Sequence, residues 1–179
     1  MIKAVCKLKS VSPYSQGKIM ESPKLRQEKP ADYEERCWRE KMHTTKDGYV
    51  YIPCTQFSNS IKEASKYLGE QIQGKGKATY AKHFMAGVLV VEHLVLPVKA
   101  SEVPYERLFV ASDGKSGGKS PRVWRYFPFI ESWQGKVTYI IVDHTITEDV
   151  FRRHLMASGS YIGIGRFRPI NGGDRKSVV

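Results

Sequence analysis

Residues 49–69 read YVYIPCTQFSNSIKEASKYLG and join a short strand to an amphipathic helix. The first four residues are aromatic or β-branched and are followed by Pro53, which predicts a strand that stops at the proline. Apolar side chains then recur at spacings of three and four, so the sequence predicts a helix that Thr55 caps and Gly69 ends. The apolar stripe of this helix consists of Phe57, Ile61, Ala64, Tyr67 and Leu68.

The rest of the chain contains strand-like segments on both sides of this unit, and a second helix near its end. Thr147 followed by two acidic residues predicts the N-terminus of that helix, and Gly159 predicts its end. A short helix from Asp32 to Met42 is expected with Asp32 as its N-cap. Residues 86–96 are almost continuously apolar, which is typical of a strand covered on both faces. The predicted strands, besides 49–53, are residues 2–9, 86–96, 108–111, 123–130, 136–142 and 161–169.

These elements predict an α+β fold once three loop-rich insertions are set aside. The remaining order is strand, helix, strand, strand, helix, strand, which is the ferredoxin-like β-α-β-β-α-β plan. That plan packs two helices on one face of a four-stranded antiparallel sheet, and RNA-recognition modules use it too. With 179 residues the chain fits a single domain, 1–179, with insertions at about residues 10–47, 70–85 and 112–122.

The balance of charge points to a polyanionic partner. Lysine and arginine total 29 against 18 aspartate and glutamate, a formal net charge of +11 in a chain that is 41% hydrophobic. Ten tyrosines, seven phenylalanines and three tryptophans add rings on which bases can stack. The sequence therefore favours RNA or single-stranded DNA as the partner.

Membrane, disulfide and metal classes are disfavoured by the sequence. The longest strongly apolar run, residues 86–91, is far shorter than the roughly 20 residues of a membrane-spanning helix, and residues 1–10 lack a signal-peptide core. We therefore expect a cytoplasmic protein without a membrane partner. Three widely spaced cysteines provide neither a disulfide framework nor a zinc knuckle, so no metal and no other cofactor is expected.

A glycine-rich stretch near the end of the chain has the composition of a phosphate contact. Gly163 and Gly165 leave the backbone free to approach a phosphate closely. Arg166 and Arg168 follow two residues apart, so in an extended segment both side chains project to one face, where they can neutralise phosphates. The alternative is an irregular strand end with solvated arginines.

Two of these segments carry a resemblance to a known family. VYIPCTQFSNSIKEA, residues 50–64, and IGIGRFRPINGG, residues 162–173, resemble the strand–helix junction and the C-terminal glycine-rich loop of the RAMP superfamily, the repeat-associated mysterious proteins. The resemblance is greatest to the backbone subunits of CRISPR ribonucleoprotein complexes, which are ferredoxin-like domains that polymerise along a guide RNA. It implies a homo-oligomer along the bound strand, with other CRISPR subunits as further partners. A compact phage or mobile-element relative of that family also fits this length. The departures are Cys54 and Thr55, where the family has glycine or serine, and a final loop that runs directly into residues 174–179.

On this basis the expected function is non-catalytic binding of single-stranded nucleic acid, in the first place RNA, through its phosphates. The N-terminus of the helix after Pro53 would attract anions, and the lysine-rich loops would add flexible contacts. A capping role for Thr55 and solvated charge runs are the plainer explanations of these residues. The expected contacts are Thr55, Gln56, Ser58, Lys62, Lys75, Lys77, Lys82, Gly163, Gly165, Arg166 and Arg168.

Two other functions remain open from the sequence. A ribonuclease of the same superfamily would need a general base, for which Asp143 beside His144, or Asp32 in the first insertion, is a candidate, although no residue is assigned as catalytic. A capped turn before the second helix is the plainer explanation of Asp143 and His144. A phage protein that mimics a backbone subunit would inhibit a host CRISPR complex by binding it, with weak affinity for RNA.

Overall fold

The fold comes from a computed structural model that describes residues 1–112 and 120–166. It is an α+β fold. Its strands are β1 (Ile2–Lys9), β2 (Tyr49–Ile52), β3 (Val88–Val90), β4 (Leu94–Lys99), β5 (Tyr105–Ala111), β6 (Arg122–Pro128) and β7 (Gln134–Ile141). Its helices are α1 (Pro30–Cys37), α2 (Cys54–Leu68), α3 (Ala81–Gly87) and α4 (Glu148–Ala157), with a 3-10 turn at Trp38–Lys41 and a π-helical turn at Ser158–Ile162. Within the described part of the chain, no helix is both long and apolar enough to cross a bilayer.

The main sheet has three antiparallel strands in the order β1–β7–β3. β1 pairs with β7 along its whole length, from Ile2 opposite Ile141 to Lys9 opposite Gln134. Alternate residues of these strands are buried or half-buried, because one face of the sheet packs on the helices. On that face the ring of Tyr139 lies 5.3 Å from the ring of Phe151 on α4.

The opposite face of the main sheet carries lysines. Lys3, Lys7 and Lys9 project from β1, and Lys7 lies directly opposite Lys136 of β7. All four lysines are exposed. Like charges that face each other across antiparallel strands repel, so this face is a solvated surface and not a packed one.

Two smaller sheets extend the core. β2 pairs with β4, and β5 pairs with β6 as an antiparallel hairpin, called the β5–β6 hairpin below. β4 meets β7 where Leu94 packs on Gly135, and a Cβ atom at Gly135 would lie 2.3 Å from the Cδ1 atom of Leu94. A larger residue at position 135 would therefore force the side chain of Leu94 to move, so this contact favours a glycine. The hairpin packs through β6 against α1 and the 3-10 turn, and these elements line the cavity described below.

The strongest sequence patterns are confirmed. α2 ends before Gly69, which has a left-handed φ of 56°. Three residues of its predicted apolar stripe are fully buried, whereas the two nearest its C-terminus, Tyr67 and Leu68, are exposed. α4 begins after Thr147, whose hydroxyl accepts a hydrogen bond from the backbone N–H of Val150. Both helices have the local signals that the sequence predicted.

Three predicted helix boundaries are wrong. Thr55 is the second residue of α2, and Pro53 occupies the N-cap position, so Thr55 does not cap the helix. α1 begins at Pro30, since a proline at the first helical position loses no hydrogen bond, and Asp32 lies in the first turn instead of the cap. Gly159 lies inside the π-helical turn after α4, so the helical conformation continues past it to Ile162.

The apolar stretch 86–96 is not one strand. Its first two residues end α3, a helix that begins inside the predicted insertion 70–85. β3 then joins the main sheet, and after the polar pair Glu92 and His93 the chain continues as β4, which pairs with β2. Exposure alternates along β3 and through Pro97 in β4, so neither strand is covered on both faces. The described residues form sheets of three, two and two strands, and they do not form the predicted four-stranded sheet.

The predicted last strand, residues 161–169, lies partly outside the described part of the chain. Tyr161 and Ile162 belong to the π-helical turn, and residues 163–166 form no strand. Arg168 lies outside the described residues, and so do residues 113–119 within the predicted insertion 112–122.

Candidate nucleic-acid interface

Residues 14–18 connect the two segments that the sequence singled out. The hydroxyl of Tyr14 donates a hydrogen bond to Oε1 of Gln56 on α2 (2.9 Å). The side-chain amide of Gln16 donates to the carbonyl of Tyr51 at the end of β2 (2.7 Å) and accepts from the backbone N–H of His43 (2.6 Å). Burial raises the pKa of Tyr14, so its hydroxyl stays protonated. The β2–α2 junction is therefore held by side chains from the first insertion.

The glycine-rich segment packs on the same residues. The backbone N–H of Arg166 donates to the carbonyl of Ser15 (3.0 Å). Gly165 has a φ of +86°, and a Cβ atom there would lie 2.7 Å from the ring of Tyr14. Tyr14 thus contacts both the N-terminal turn of α2 and the glycine-rich segment, and the two segments are brought together in space.

The backbone of Gly163 is used inside the protein. Its N–H donates to the carbonyl of Ser158 (2.7 Å), and its carbonyl accepts from the hydroxyl of Ser60 on α2 (2.8 Å). Gly163 has a φ of +68°, a conformation that favours glycine. Its contribution is consequently to turn the chain so that Arg166 reaches the surface, and not to offer its own backbone to a phosphate.

Arg166 lines a cavity of about 350 Å³, called the cationic cavity below. The cavity is lined by residues 17–20 of the first insertion, by α1, by the 3-10 turn and by the inner face of β6, and it is partly open to solvent. The backbone N–H of Lys18 donates to the carbonyl of Lys41 (3.0 Å), which fixes the insertion against the turn. The charged residues of its wall are Lys18, Glu34, Lys41, Arg125 and Arg166.

A single buried carboxylate holds two of these cations. Glu34 is 6% exposed and Lys41 is 5% exposed, and they form an ion pair. The other carboxylate oxygen of Glu34 accepts from Nη1 of Arg125 (3.1 Å). Nζ of Lys41 also donates to the carbonyl of Tyr126 (2.8 Å), and Nη2 of Arg125 donates to that of Ser112 (2.8 Å). Both cations are therefore fixed in position by backbone acceptors as well as by Glu34.

Arg166 adds a third cation without adding an acid. Its guanidinium lies 4.1 Å from the centroid of the Phe127 ring, and Nζ of Lys41 lies 4.5 Å from the same centroid. Among the described residues, no carboxylate lies within ion-pair distance of Arg166. Among the described residues that line the cavity, Glu34 is the one carboxylate, and it pairs with Lys41 and Arg125 but not with Arg166. Lys18 is paired separately with Glu21 (2.8 Å). The cavity wall carries an excess of positive charge.

The pKa directions agree with this excess. Burial lowers the pKa of Lys41, and the neighbouring Arg125 and Arg166 lower it further, against the raising effect of Glu34. Burial and Arg125 likewise lower the pKa of Arg166, which Glu34 opposes. An anion bound among the three cations would offset their mutual repulsion and raise the pKa of Lys41 and Arg166.

The N-terminus of α2 is less open than the sequence suggested. The first helical N–H, that of Cys54, donates to Nδ1 of His93 (3.1 Å). Gln56 is half-buried and bonded to Tyr14, and Ser58 is buried. Thr55 is exposed, whereas Lys62, farther along α2, is half-buried. Of these four predicted contacts, Thr55 is the one that solvent reaches freely.

Histidines near this end of α2 form a stack that the sequence did not reveal. The ring of Tyr51 lies 4.5 Å from that of His93 and 5.5 Å from that of His43. Burial, Lys18 and His93 lower the pKa of His43, which favours a neutral ring at pH 7.

The predicted lysine contacts of the second insertion lie elsewhere. Lys75 and Lys77 are exposed on a loop, and Lys82 is exposed on α3. This region is tied to α4 through Glu70, whose carboxylate accepts from Arg153 (2.6 Å). No described contact joins it to the cationic cavity.

The residues that sequence reasoning missed come mainly from the aperiodic first insertion. Glu34, Lys41 and Lys18 have no pattern that would place them near one another. Arg125 had a signal, because alternation along β6 puts it on the same face as Val123 and Phe127. A charged residue on the inward face of a strand requires a partner, and here that partner is Glu34.

A second polar pair lies at the N-terminal end of α3. Nδ1 of His83 lies 2.6 Å from Oδ2 of Asp143, and Oδ1 of Asp143 accepts from the backbone N–H of Thr145 (2.8 Å). The hydrogen bond from the Thr145 N–H and, as a smaller effect, the hydrogen bond with His83 lower the pKa of Asp143 to about 2. The exposed His144 is not the partner of Asp143, contrary to the sequence-based candidate pair. The described residues contain no group of three side chains that could ligate a metal.

No family model matches the chain, and no curated protein is significantly similar to it. The RAMP resemblance therefore remains a prediction from two short motifs.

Proposed function

We propose that this protein binds single-stranded nucleic acid, with RNA as the first candidate, through its phosphates and without catalysing a reaction. The observation that carries the proposal is the cationic cavity, where Glu34 pairs with Lys41 and Arg125 and leaves the charge of Arg166 without a carboxylate partner among the described residues. Arginines pair with phosphate oxygens in two parallel hydrogen bonds, a geometry that a chloride ion cannot match.

The position of the cavity also supports a polymeric ligand. It is partly open to solvent, and Lys18 in its wall acts electrostatically on His43, which lies beside Tyr51 of β2. Thr55 is exposed at the start of α2, the helix that follows β2. These groups come from separate elements that Tyr14 and Gln16 connect. A strand that enters at Arg166 would pass one polar or cationic group after another.

The ferredoxin-like assignment and the RAMP relationship belong to the same proposal. The order β1–β7–β3, with α2 between β1 and β3 and with α4 after β7, is the order of the first three strands of the ferredoxin-like plan. The fourth strand of that plan would follow α4, and residues 158–166, the described part of the chain after α4, contain no strand. A cytoplasmic, polymerising subunit on a CRISPR guide RNA is the form of this function that the resemblance favours.

Binding of a fluorescently labelled single-stranded RNA, measured by anisotropy at several salt concentrations, tests the proposal. Arg166→Gln removes one unpaired cation and is expected to weaken binding about tenfold. Each lost phosphate contact is also expected to reduce the slope of log K against log salt by about 0.7. Arg152→Gln is the matched control, because Arg152 is exposed on α4 and pairs with Glu148 (3.2 Å). Equal effects of the two substitutions, or no binding by the native protein, would refute the proposal.

A second candidate function is RNA cleavage, and the His83–Asp143 pair favours it. Asp143 holds Nδ1 of His83, which leaves Nε2 as a potential general base in a half-exposed side chain. His83→Ala and Asp143→Asn would then abolish cleavage of a labelled RNA, whereas His144→Ala would leave it intact. Absence of cleavage by the native protein, with RNA binding retained, eliminates this candidate.

A further inference from the structure

We infer that the outer face of the β5–β6 hairpin is a stacking surface for unpaired bases of the bound nucleic acid. This inference rests on the proposed function and adds the part of the ligand that the surface recognises. The face presents Tyr105, Phe109 and Trp124, which are 48%, 48% and 42% exposed. Three large rings on one face of a two-stranded hairpin form an apolar patch that solvent alone does not favour.

The register of the hairpin places these rings side by side. Phe109 lies directly opposite Trp124, and their ring centroids are 5.0 Å apart. The guanidinium of Arg107 lies 4.0 Å from the centroid of the Trp124 ring. Bases stack on aromatic rings and on guanidinium planes alike, so this cluster offers two kinds of stacking surface.

The base of the same face is packed, which fixes the hairpin in place. The ring of Tyr105 lies 5.2 Å from Trp38 of the 3-10 turn and 5.0 Å from Tyr126. Rigid rings lose little conformational entropy when a ligand stacks on them, which favours binding.

The charge of the face selects nucleic acid over a protein partner. Arg107 and Arg122 both project to the outer side, because Arg107 is two residues from Phe109 and Arg122 is two residues from Trp124 along their strands. Glu106 projects to the inner side, opposite Phe127. The inner side of the same strand β6 presents Arg125 to the cationic cavity. Successive residues of β6, about 3.4 Å apart, therefore point alternately to the outer face with its rings and to the inner face with the cations of the cavity.

Stacking requires exposed base faces, so the ligand class is single-stranded and the preference among bases is weak. Duplex RNA presents its phosphates but not its base faces. We expect the protein to bind duplex at the cationic cavity without engaging the rings of the hairpin.

The intrinsic tryptophan fluorescence tests this directly in the native protein. Trp38 and Trp133 are 2% and 4% exposed, so quenching by a stacked base reports on Trp124. A single-stranded 12-nucleotide RNA should quench this emission, whereas inorganic polyphosphate and duplex RNA of equal length should leave it nearly unchanged.

Affinity measurements on variants complete the test. Trp124→Ala and Phe109→Ala should each weaken single-stranded RNA binding about tenfold, since stacking contributes roughly 1–3 kcal/mol per base. Trp124→Phe keeps a ring and should bind within threefold of the native protein without the quenching. Tyr161→Ala is the matched control, because Tyr161 is a ring with 53% exposure on the π-helical turn.

The possible failures are distinguishable. If RNA binds with the expected dependence on Arg166 but neither quenches Trp124 nor responds to Phe109→Ala, the inference is overturned and the proposed function stands. If the hairpin variants change self-association in sedimentation and not RNA affinity, the face is a protein interface and the inference is again overturned. Absence of any RNA binding overturns both.

Discussion

The cationic cavity and the lysine loop of residues 70–82 are both basic, but they hold their charges differently. In the cavity, Lys41 and Arg125 are fixed by Glu34 and by backbone carbonyls. On the loop and the start of α3, the lysines are exposed. A ligand must immobilise each free lysine at a cost in side-chain entropy, whereas the cavity cations are already ordered. Cations that are held in place by a carboxylate and by backbone carbonyls are therefore better suited to bind a ligand than a larger number of exposed lysines.

The largest expected effect comes from the support of the cavity. Glu34→Ala leaves Lys41 buried without its carboxylate, and the free energy of unfolding should fall by about 3–5 kcal/mol. Chemical denaturation followed by circular dichroism measures it. Glu63→Ala is the control, because Glu63 forms an exposed pair with Lys66 (2.9 Å), and it should change stability by less than about 1 kcal/mol. Similar losses for both variants would show that Glu34 is not a structural support.

Two glycines with similar backbone conformations sharpen the comparison. Gly165 on the cavity side (φ +86°) and Gly74 on the loop (φ +77°) both become strained as alanine, by about 1–2 kcal/mol. A methyl group at Gly165 also meets the ring of Tyr14, whereas nothing lies within 4 Å of one at Gly74. Gly165→Ala should therefore destabilise by about 2 kcal/mol more than Gly74→Ala. Equal shifts in denaturation midpoint would contradict the contact with Tyr14.

The hydrogen bond between His83 of α3 and Asp143 predicts that the stability of the protein depends on pH. The pKa of Asp143 is about 2 in the folded protein, below its ordinary value of 3.8. The folded state thus binds fewer protons than the unfolded state in this range, and the contribution of Asp143 is complete above about pH 4 and disappears as pH falls through 2. The difference in stability between native protein and Asp143→Asn should narrow over that window. A constant difference from pH 6 to pH 2 would count against the interaction.

The smallest effect is expected on the loop itself. Replacing Lys75 and Lys77 together with glutamine should change RNA affinity by less than threefold at 0.15 M salt, because exposed charges are screened and unsupported. The measurement is the anisotropy titration used for Arg166→Gln. A loss larger than that of Arg166→Gln would reverse the ranking of the two regions.

The sequence predicted well the elements whose signals are local. α2 and α4 are specified by apolar spacing and, at one end each, by Gly69 and Thr147. The segment 86–96 was predicted wrongly because a continuous apolar run fits one fully covered strand as well as two half-buried ones. The pair Glu92 and His93 was the polar interruption that separates them.

The candidate site was predictable only in part, because it is assembled from distant segments. Arg166 was found through its glycine-rich context, and Gln56 through the helix N-terminus. Glu34 and Lys41 come from a segment without periodicity, and their bonds to Arg125 and to the carbonyl of Tyr126 span 91 and 85 positions of chain, respectively. Such pairings depend on tertiary packing, which no local pattern encodes.

The lysines that face each other across β1 and β7 give ionic strength two opposite roles. Lys7 and Lys136 repel in the folded state, and dissolved ions screen that repulsion. Concentrated electrolyte therefore strengthens this strand pair while it weakens attachment of a polyanion to the cationic cavity. The conditions that best preserve this strand pair are those under which the proposed nucleic-acid ligand would bind most weakly.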